Sequence, residues 1–188
     1  MNLRGLLLCG GASIRFGRDK LSEKIDGVPM AVVSARPLVD AMGRVLAVTR
    51  PGRHDLRAFL EAAGCEVMET DRALEGLGSS LAAGVEASAD ADGWVIALAD
   101  MPSIREQTIR AVRSALEEGA LIAAPSDRAS GARGHPVGFR SALRQELLDL
   151  RGDEGARSVI QRHRDAIRLV AVDDPGITHD VDRPGDLA

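Results

Sequence analysis

Aromatic residues are scarce in this sequence of 188 residues, which contains three Phe, one Trp and no Tyr. The hydrophobic fraction is nevertheless 45%, so Leu, Val, Ile and Ala must build most of the core. Cysteine is equally scarce, because Cys9 and Cys65 are the only two. Two cysteines do not make a disulfide scaffold, and we expect both to be buried free thiols in a reducing cytoplasm.

Long hydrophobic runs and an excess of basic residues are also missing. No apolar run reaches the roughly 18 residues that span a bilayer, and residues 3–8 are too short a run for a signal peptide. We therefore expect a cytoplasmic protein with no membrane partner. The net charge of −4 argues against broad nucleic-acid binding, which requires a basic face, but a small anionic ligand needs only a local positive pocket.

Hydrophobic runs alternate with helical patterns along the whole chain. Strands are predicted at residues 3–8, 45–48, 65–68, 94–99, 121–124 and 168–172. Helices are predicted at residues 29–42, 54–63, 78–87, 107–118, 141–150 and 157–163. Residues 70–77 are predicted to be irregular, and residues 126–134 to form a polar excursion over the site. This alternation predicts an α/β fold with a mostly parallel sheet, and without repeats or a linker we expect residues 1–188 to form one domain.

The most informative stretch follows the first predicted strand. Glycines allow backbone N–H groups to approach a ligand closely, and cations nearby suit a polyphosphate. A Walker A loop is excluded because no Gly-Lys-Ser/Thr run occurs, and the dinucleotide fingerprint is excluded by the glycine spacing. The plain alternative is a surface turn that happens to be rich in Gly and Arg. The residues concerned are Gly10, Gly11, Arg15, Gly17, Arg18 and Lys20.

The pattern Gly-Gly-x-Ser-x-Arg-x-Gly-x-Asp-Lys in this loop resembles the signature of MobA-like nucleotidyltransferases, which attach a nucleotide to the pterin of the molybdenum cofactor. The resemblance extends from Leu3 to Leu187. It implies a three-layer, Rossmann-like sheet of the nucleotide-diphospho-sugar transferase type, with a small β excursion. It also implies nucleotide contacts from Leu8, Cys9, Gly10, Gly11, Ala12, Ser13, Arg15, Phe16, Gly17 and Lys20.

Two segments in the middle of the chain extend the resemblance. Gly78, Ser79 and Ser80 begin a predicted helix, where serines either cap the helix or bond a base edge; the family brings a similar segment to the nucleotide base. Asp100 follows the predicted central strand and precedes Met101-Pro102, and it is either a turn residue or a ligand of Mg²⁺. The Asp of the family's Asp-x-Pro motif binds Mg²⁺, which favours the second interpretation.

Three segments of the C-terminal half complete the predicted site. Gly134-His135-Pro136-Val137 and the Gly-Asp-x-Gly-Ala-Arg segment ending at Arg157 resemble the cytidylyltransferase branch, in which the second segment borders the acceptor pocket. We expect Gly134, His135 and Pro136 to shape the substrate pocket and Arg157 to bind an anionic pterin phosphate. A structural His and an exposed Arg at a helix start are the alternatives. Asp182, and less directly Asp180, are candidates for the same metal or for a helix cap.

The resemblance implies a Mg²⁺-dependent transfer of GMP or CMP from a nucleoside triphosphate to the phosphate of a molybdopterin-type acceptor. Arg15, Lys20 and Asp100 are the predicted catalytic residues, and a molybdoenzyme or its chaperone is a candidate protein partner. The base stays open between GTP and CTP, because the first loop resembles guanylyltransferases whereas the two segments ending at Val137 and Arg157 resemble cytidylyltransferases. The alternatives are a pyrophosphorylase acting on a sugar phosphate or another small phosphorylated acceptor, a non-catalytic nucleotide- or cofactor-binding module and, more remotely, a dinucleotide-dependent oxidoreductase.

Overall fold

The computed structural model describes residues 1–10 and 19–181. Within these residues the strands are β1 (Leu3–Leu8), β2 (Lys24–Ile25), β3 (Val28–Pro29), β4 (Val45–Thr49), β5 (Glu66–Glu69), β6 (Gly93–Leu98), β7 (Ile122–Asp127), β8 (Val137–Arg140) and β9 (Ile167–Val172). The helices are α1 (Met30–Met42), α2 (His54–Ala62), α3 (Arg72–Glu75), α4 (Leu77–Ala87), α5 (Glu106–Glu117), α6 (Arg144–Leu148) and α7 (Arg157–Arg162). The predicted strands are all present, and the largest difference is the extension of β7 to Asp127.

The main sheet has the strand order β5-β4-β1-β6-β8-β7-β9 within the described residues. Strands β5, β4, β1 and β6 are parallel to one another, and β7 is parallel to β9. Only β8 runs antiparallel, between β6 and β7. The predicted mostly parallel α/β sheet is therefore confirmed, and its long central strands β1 and β6 are paired on both sides.

Two hydrophobic clusters cover opposite faces of the sheet, which makes the fold three-layered. Side chains of a strand alternate between faces, so Leu7 of β1 packs with Leu38 of α1 while Leu6 packs with Leu81 of α4. Helices α1, α2 and α5 belong to the first layer, and α4, α6 and α7 to the second. The apolar runs predicted as buried strands thus have helices on both sides.

Strand β8 was not predicted, because its four residues follow a polar loop and carry little periodic signal of their own. Its backbone is paired on both sides, with Val137 opposite Ile96 of β6 and Phe139 opposite Ile122 of β7. A Cβ atom at Gly138 would lie only 2.8 Å from Leu116 of α5. The glycine therefore lets the helix pack closely on the sheet at this strand.

The residues just before α1 form a β2–β3 hairpin that was not predicted, in which Asp26 and Gly27 both have positive φ, as a two-residue hairpin turn requires. Two further local expectations were wrong. The predicted irregular stretch at 70–77 contains the short helix α3. The helix predicted at 141–150 is a 3₁₀ turn, Ser141–Leu143, followed by α6. No helix of residues 1–10 and 19–181 has the length and apolar character to span a membrane.

Candidate active site

The carboxyl ends of β1 and β6 lie side by side, since the strands are parallel and Leu8 pairs with Leu98. Cys9 and Gly10 continue from β1, and Asp100 follows β6. The backbone N–H of Ala99 donates to the carbonyl of Leu8 at 3.1 Å, which holds the two strand ends together. Open α/β sheets bind their ligands at this edge, and the structure places Cys9 and Gly10, where the predicted loop begins, beside the predicted metal ligand there.

Lys20 and Asp100 form an ion pair although they are 80 positions apart in the sequence. Nζ of Lys20 lies 2.9 Å from Oδ2 of Asp100, and the two side chains are 13% and 28% exposed. A half-buried pair of this kind is screened less by solvent than a surface pair. The edge of the sheet therefore presents a cation and an acidic oxygen within one hydrogen bond of each other.

A second ion pair lies beside the first, between Asp19 and Arg53. Arg53 directly precedes α2, and its side chain is only 7% exposed. Asp19 also accepts a hydrogen bond from Oγ of Ser22 at 2.7 Å on its other carboxylate oxygen. The sequence analysis did not identify Arg53, because an arginine after the Pro51-Gly52 turn has no spacing that links it to the glycine loop.

Several predicted site residues lie outside the described residues, and their roles stay predictions. They are Gly11, Ala12, Ser13, Arg15, Phe16 and Gly17 of the loop, and the metal candidate Asp182 near the C-terminus. Asp180 is described and exposed. Its neighbour Val181 is buried, and the N–H of Val181 donates to the carbonyl of Asp100 at 2.9 Å. The chain that leads to Asp182 is thus attached directly to Asp100.

Cys9 is a buried thiol at the end of β1 and is 1% exposed. Burial, followed by the influence of Cys65, raises its pKa far above the usual range, and Asp100 and Asp19 act in the same direction while the Arg53 cation opposes them. A thiol that stays protonated is not a nucleophile. We therefore expect any contribution of Cys9 to nucleotide binding to come from its backbone.

The start of α4 is occupied by a loop around Gly152. The backbone N–H groups of Gly78 and Ser79 donate to the carbonyl of Gly152 at 2.8 and 3.3 Å, and Oγ of Ser79 accepts from the N–H of Gly152 at 3.0 Å. Oγ of Ser80 donates to the carbonyl of Gly76 at 2.9 Å. Both serine side chains are completely buried. The structure therefore places these serines in helix-start contacts, and their contact with a base stays a prediction.

Gly10 lies directly against this helix start. A Cβ atom on Gly10 would be 2.7 Å from Oγ of Ser80 and 3.4 Å from the carbonyl oxygen of Ala73. A larger residue would push the loop away from α4. The structure thus joins the first glycine of the predicted nucleotide loop to the Gly-Ser-Ser segment, which the sequence connects only through the family resemblance.

A pocket of about 170 Å³ opens beside the ends of β1 and β6. Its walls are mostly apolar, and its polar lining comes from Arg133, His135, Glu154 and Arg157. The apolar lining residues are Leu8, Leu77, Leu81, Ile96, Leu98, Val137, Phe139, Ala156 and Ile160. The structure therefore brings His135 and Arg157 to one pocket, next to the strand end that carries the nucleotide loop.

Gly134 and Pro136 flank His135 and fix the position of its backbone. A Cβ atom on Gly134 would overlap the carbonyl of Ile177, and the N–H of His135 donates to that same carbonyl at 2.8 Å. Pro136 is buried. Of the three residues predicted to shape the pocket, only His135 lines it, and the other two hold the backbone that presents the imidazole.

Burial lowers the pKa of His135, because a charged imidazole is poorly solvated there. The Asp100 carboxylate and a backbone hydrogen bond with Ile96 raise the pKa, Arg133 lowers it and Asp180 raises it. Nδ1 is buried without a hydrogen-bond partner among the described residues. His135 is therefore neutral at pH 7, and one nitrogen of its ring is left without a hydrogen bond among the described residues.

No group of three His, Cys, Asp or Glu side chains able to hold a metal occurs in residues 1–10 and 19–181. This agrees with the chemistry of Mg²⁺ beside phosphates, which usually takes one or two carboxylates from the protein and completes its shell with water and substrate oxygens. Asp100 is a partly exposed carboxylate at the sheet edge, so its oxygens suit such an ion.

The MobA-like NTP transferase domain family matches residues 5–180 of the chain. No curated protein is a significant sequence match. Among solved structures, Rv0371c from Mycobacterium tuberculosis H37Rv in complex with manganese is 23% identical with a TM-score of 0.81, and the match covers 99% of this chain and 96% of that one.

Two other solved structures have the same fold. A nucleotidyl transferase from Methanothermobacter thermautotroptrophicus is 20% identical with a TM-score of 0.80, and the match covers 98% of this chain and 93% of that one. A CMP:2-keto-3-deoxy-manno-octonic acid synthetase complexed with CTP is 18% identical with a TM-score of 0.75, and the match covers 100% of this chain and 95% of that one. At these identities the similarity shows the fold.

Proposed function

Since the chain belongs to the MobA-like NTP transferase family, we propose that it transfers GMP or CMP from a nucleoside triphosphate to the phosphate of a molybdopterin-type acceptor. An acceptor phosphate oxygen forms a bond to the α-phosphorus. The bond from the α-phosphorus to the bridging oxygen breaks, and pyrophosphate leaves with that electron pair. The proposal treats residues 1–188 as one nucleotidyltransferase domain.

The observation that carries the proposal is the Lys20–Asp100 pair at the joined ends of β1 and β6. Transfer of this type needs positioning and charge stabilisation rather than a covalent intermediate on the protein. A lysine ammonium in a half-buried site stabilises the charge that develops on the departing pyrophosphate. In the proposed site Lys20, together with Arg15, binds the β- and γ-phosphates, and the backbone of the glycine loop donates hydrogen bonds to them.

A divalent metal is the proposed cofactor, and Mg²⁺ is the ion we assign to it. Asp100 and Asp182 would hold it, with Asp180 as the alternative to Asp182. When bound, such an ion neutralises phosphate charge and orients the reacting oxygens. The manganese in the Rv0371c complex supports a divalent ion in this fold. Nζ of Lys20 donates a hydrogen bond to one oxygen of Asp100.

We assign the pocket beside the pair to an acceptor with a flat ring and an anionic end. Leu81, Ile96 and Phe139 present apolar surface on which the face of such a ring could pack. Arg157 and Arg133 supply cations at the same pocket, and a guanidinium pairs with a phosphate through two hydrogen bonds. The proposed acceptor is therefore a pterin phosphate.

The test is pyrophosphate release with Mg²⁺, purified molybdenum-bearing pterin cofactor and each of the four ribonucleoside triphosphates in turn. We expect release with only GTP or only CTP. Asp100→Ala and Lys20→Ala should each lower the rate by about a hundredfold or more. Asp55→Ala and Lys24→Ala are matched controls, because both residues are exposed and lie away from the pocket.

Three outcomes would contradict the proposal. Near-wild-type turnover by Asp100→Ala or Lys20→Ala would remove that residue from the mechanism. Release that requires a sugar phosphate instead of the pterin would reassign the acceptor, and no release with any acceptor, in a protein shown to bind nucleotide, would point to a non-catalytic module. A molybdoenzyme or its chaperone is the proposed recipient of the product.

A further inference from the structure

We infer that Arg53 is a positioning residue that holds Lys20 in place for the triphosphate by anchoring Asp19. This inference rests on the proposed function and adds a residue to it that neither the motif nor the family resemblance identifies. Arg53 lies outside the glycine loop, 33 positions after Lys20 in the sequence. Its connection to the loop exists only in the folded protein.

Burial is the first observation that sets Arg53 apart. Its side chain is 7% exposed, whereas Arg57, one turn later in α2, is 47% exposed. A buried guanidinium is unfavourable unless an opposite charge and hydrogen bonds compensate for the lost hydration. Asp19 supplies that opposite charge, so the pair is a specific feature of this fold and not a solvated surface contact.

The second observation is that Asp19 is held at several points, which restricts the residue that follows it. One carboxylate oxygen pairs with Arg53, and the other accepts from Oγ of Ser22 at 2.7 Å. The carbonyl of Asp19 accepts from the N–H of Ser22 at 3.2 Å, which closes the 3₁₀ turn Lys20–Ser22. Lys20 is the first residue of this turn, so the anchor on Asp19 fixes where the lysine backbone begins.

The third observation is that the two ion pairs lie on either side of the end of β1. Leu8 of β1 pairs with Val48 of β4, the strand that leads to Arg53, and with Leu98 of β6, the strand that leads to Asp100. One pair joins the loop to α2, and the other joins it to the strand end after β6. The Arg53–Asp19 pair therefore adds a fixed point at the residue just before Lys20, whose long side chain has large rotamer freedom.

The test compares the affinities for the nucleoside triphosphate that supports turnover and for its monophosphate, measured by calorimetry. Lys20 contacts only the β- and γ-phosphates in the proposed site, so Lys20→Met should reduce the preference for triphosphate over monophosphate by about tenfold. We expect Arg53→Met and Asp19→Asn to cause the same loss, with monophosphate affinity unchanged. Arg53→Lys keeps the charge but not the planar fork of the guanidinium. Its preference for triphosphate over monophosphate should lie between that of these two variants and that of the wild type.

A double-mutant cycle separates positioning from direct contact. If Arg53 acts through Lys20, the double variant Lys20→Met/Arg53→Met should lose no more triphosphate affinity than Lys20→Met alone. Additive losses would overturn the inference, because they would mean that Arg53 touches the phosphates itself. Arg57→Met is the matched control and should bind like the wild type, since Arg57 pairs with Glu61 of the same helix and with Glu69 of β5.

Three further results are decisive. An unchanged preference for triphosphate in Arg53→Met would overturn the inference and leave the proposed function standing. An equal loss of triphosphate and monophosphate affinity would also overturn it, because it would indicate a structural role only. A wild-type protein that does not distinguish the two nucleotides would overturn the proposed function as well. If Arg53→Met does not fold, Asp19→Asn removes the same ion pair from the more exposed side and keeps the test decisive.

Discussion

One carboxylate, that of Asp100, has two partners in the proposed reaction cycle. It pairs with Lys20 at 2.9 Å. In the proposed complex Lys20 would bind the phosphates and Asp100 would bind the metal ion. Because each ligand would free the residue that the other ligand needs, we expect nucleotide and metal to bind with positive coupling.

Lys20→Met should increase the affinity of the nucleotide-free protein for Mn²⁺ by about fivefold, because a pair worth roughly 1 kcal/mol no longer competes for Asp100. The measurement is a titration that follows free Mn²⁺ by electron paramagnetic resonance. Lys24→Met removes the only other lysine of the chain and should leave the affinity unchanged. Equal affinities in the wild type and Lys20→Met would show that the lysine does not compete with the metal.

His135 should make the folded protein sensitive to mild acid. Burial lowers its pKa from 6.5 in the folded state, so the unfolded chain binds more protons and stability falls as pH drops below about 6.5. The loss cannot exceed roughly 1.4 kcal/mol per pH unit for one group. It should end once pH passes below the folded-state pKa.

The measurement is urea unfolding of the wild type and of His135→Gln at pH 7.5 and 5.5. The difference between the two proteins removes the contributions of other groups, such as Asp90 and Asp127, whose pKa values are lowered in the folded protein. We expect His135→Gln to lose less stability than the wild type over this interval. Parallel losses would contradict a neutral, buried imidazole.

At the scale of elements, one buried carboxylate holds the segment after β9 against the start of α5. Asp174 is 1% exposed and accepts three hydrogen bonds, from the N–H of Arg105 at 2.9 Å, from Oγ1 of Thr108 at 2.6 Å and from the N–H of Gly176 at 3.1 Å. These bonds tie the segment to the start of α5. The segment then leads to Val181, which bonds the carbonyl of Asp100.

Asp174→Ala should lower the free energy of unfolding by roughly 2–4 kcal/mol, because it leaves buried donors without an acceptor. Urea denaturation measures the loss. Asp173→Ala is a closely matched control, since the Asp173 side chain is 79% exposed and pairs only with Arg128 among the described residues. Similar losses in both variants would contradict the role of Asp174 as an anchor.

The loop at residues 151–153 connects the start of α4 to the pocket. Its Gly152 occupies the start of α4, and Asp153 accepts a hydrogen bond from the N–H of Leu77 at 3.2 Å. Gly76 makes this possible, because a Cβ atom there would lie 2.6 Å from the carbonyl of Gly152. The same loop continues into Glu154 and Arg157 of the pocket, so α4 and the proposed acceptor pocket share one connection.

At the scale of the whole molecule, an acidic chain with a net charge of −4 is proposed to bind two anionic substrates. The cations Lys20, Arg133 and Arg157 come from separate parts of the sequence and meet at one edge of the sheet or in the pocket beside it. Local field, rather than total charge, decides whether a small anion binds.

Nucleotide and Mg²⁺ at about a hundred times the dissociation constant should stabilise the protein by roughly 2.7 kcal/mol and raise Tm by about 5–10 °C. Trp94, the only tryptophan, is buried in β6 and donates a hydrogen bond to Ser88, so its fluorescence reports unfolding of the core. The monophosphate should raise Tm less at the same concentration. A Tm that is insensitive to the triphosphate would contradict nucleotide binding at this site.

Local pattern determined most of the elements and the position of the proposed nucleotide loop. The apolar runs of β1, β4 and β6 and the helical patterns between them are signals carried by neighbouring residues, and they predicted the mostly parallel α/β fold. Asp100 was predicted from its place after a buried strand and from the family's Asp-x-Pro motif, and the structure puts it at the sheet edge beside Cys9 and Gly10. These features need no knowledge of distant contacts.

Tertiary structure alone decided the antiparallel strand β8, the attachment of Gly152 to α4 and the Arg53–Asp19 pair. Strand β8 is stabilised by neighbours on both sides that lie far away in the sequence, so its own four residues carry little signal. Arg53 looks like any arginine at a helix start until the chain folds and buries it against Asp19. The physical reason is the same in each case: the stabilising partner is distant in sequence, and a local pattern reports only on partners that are near.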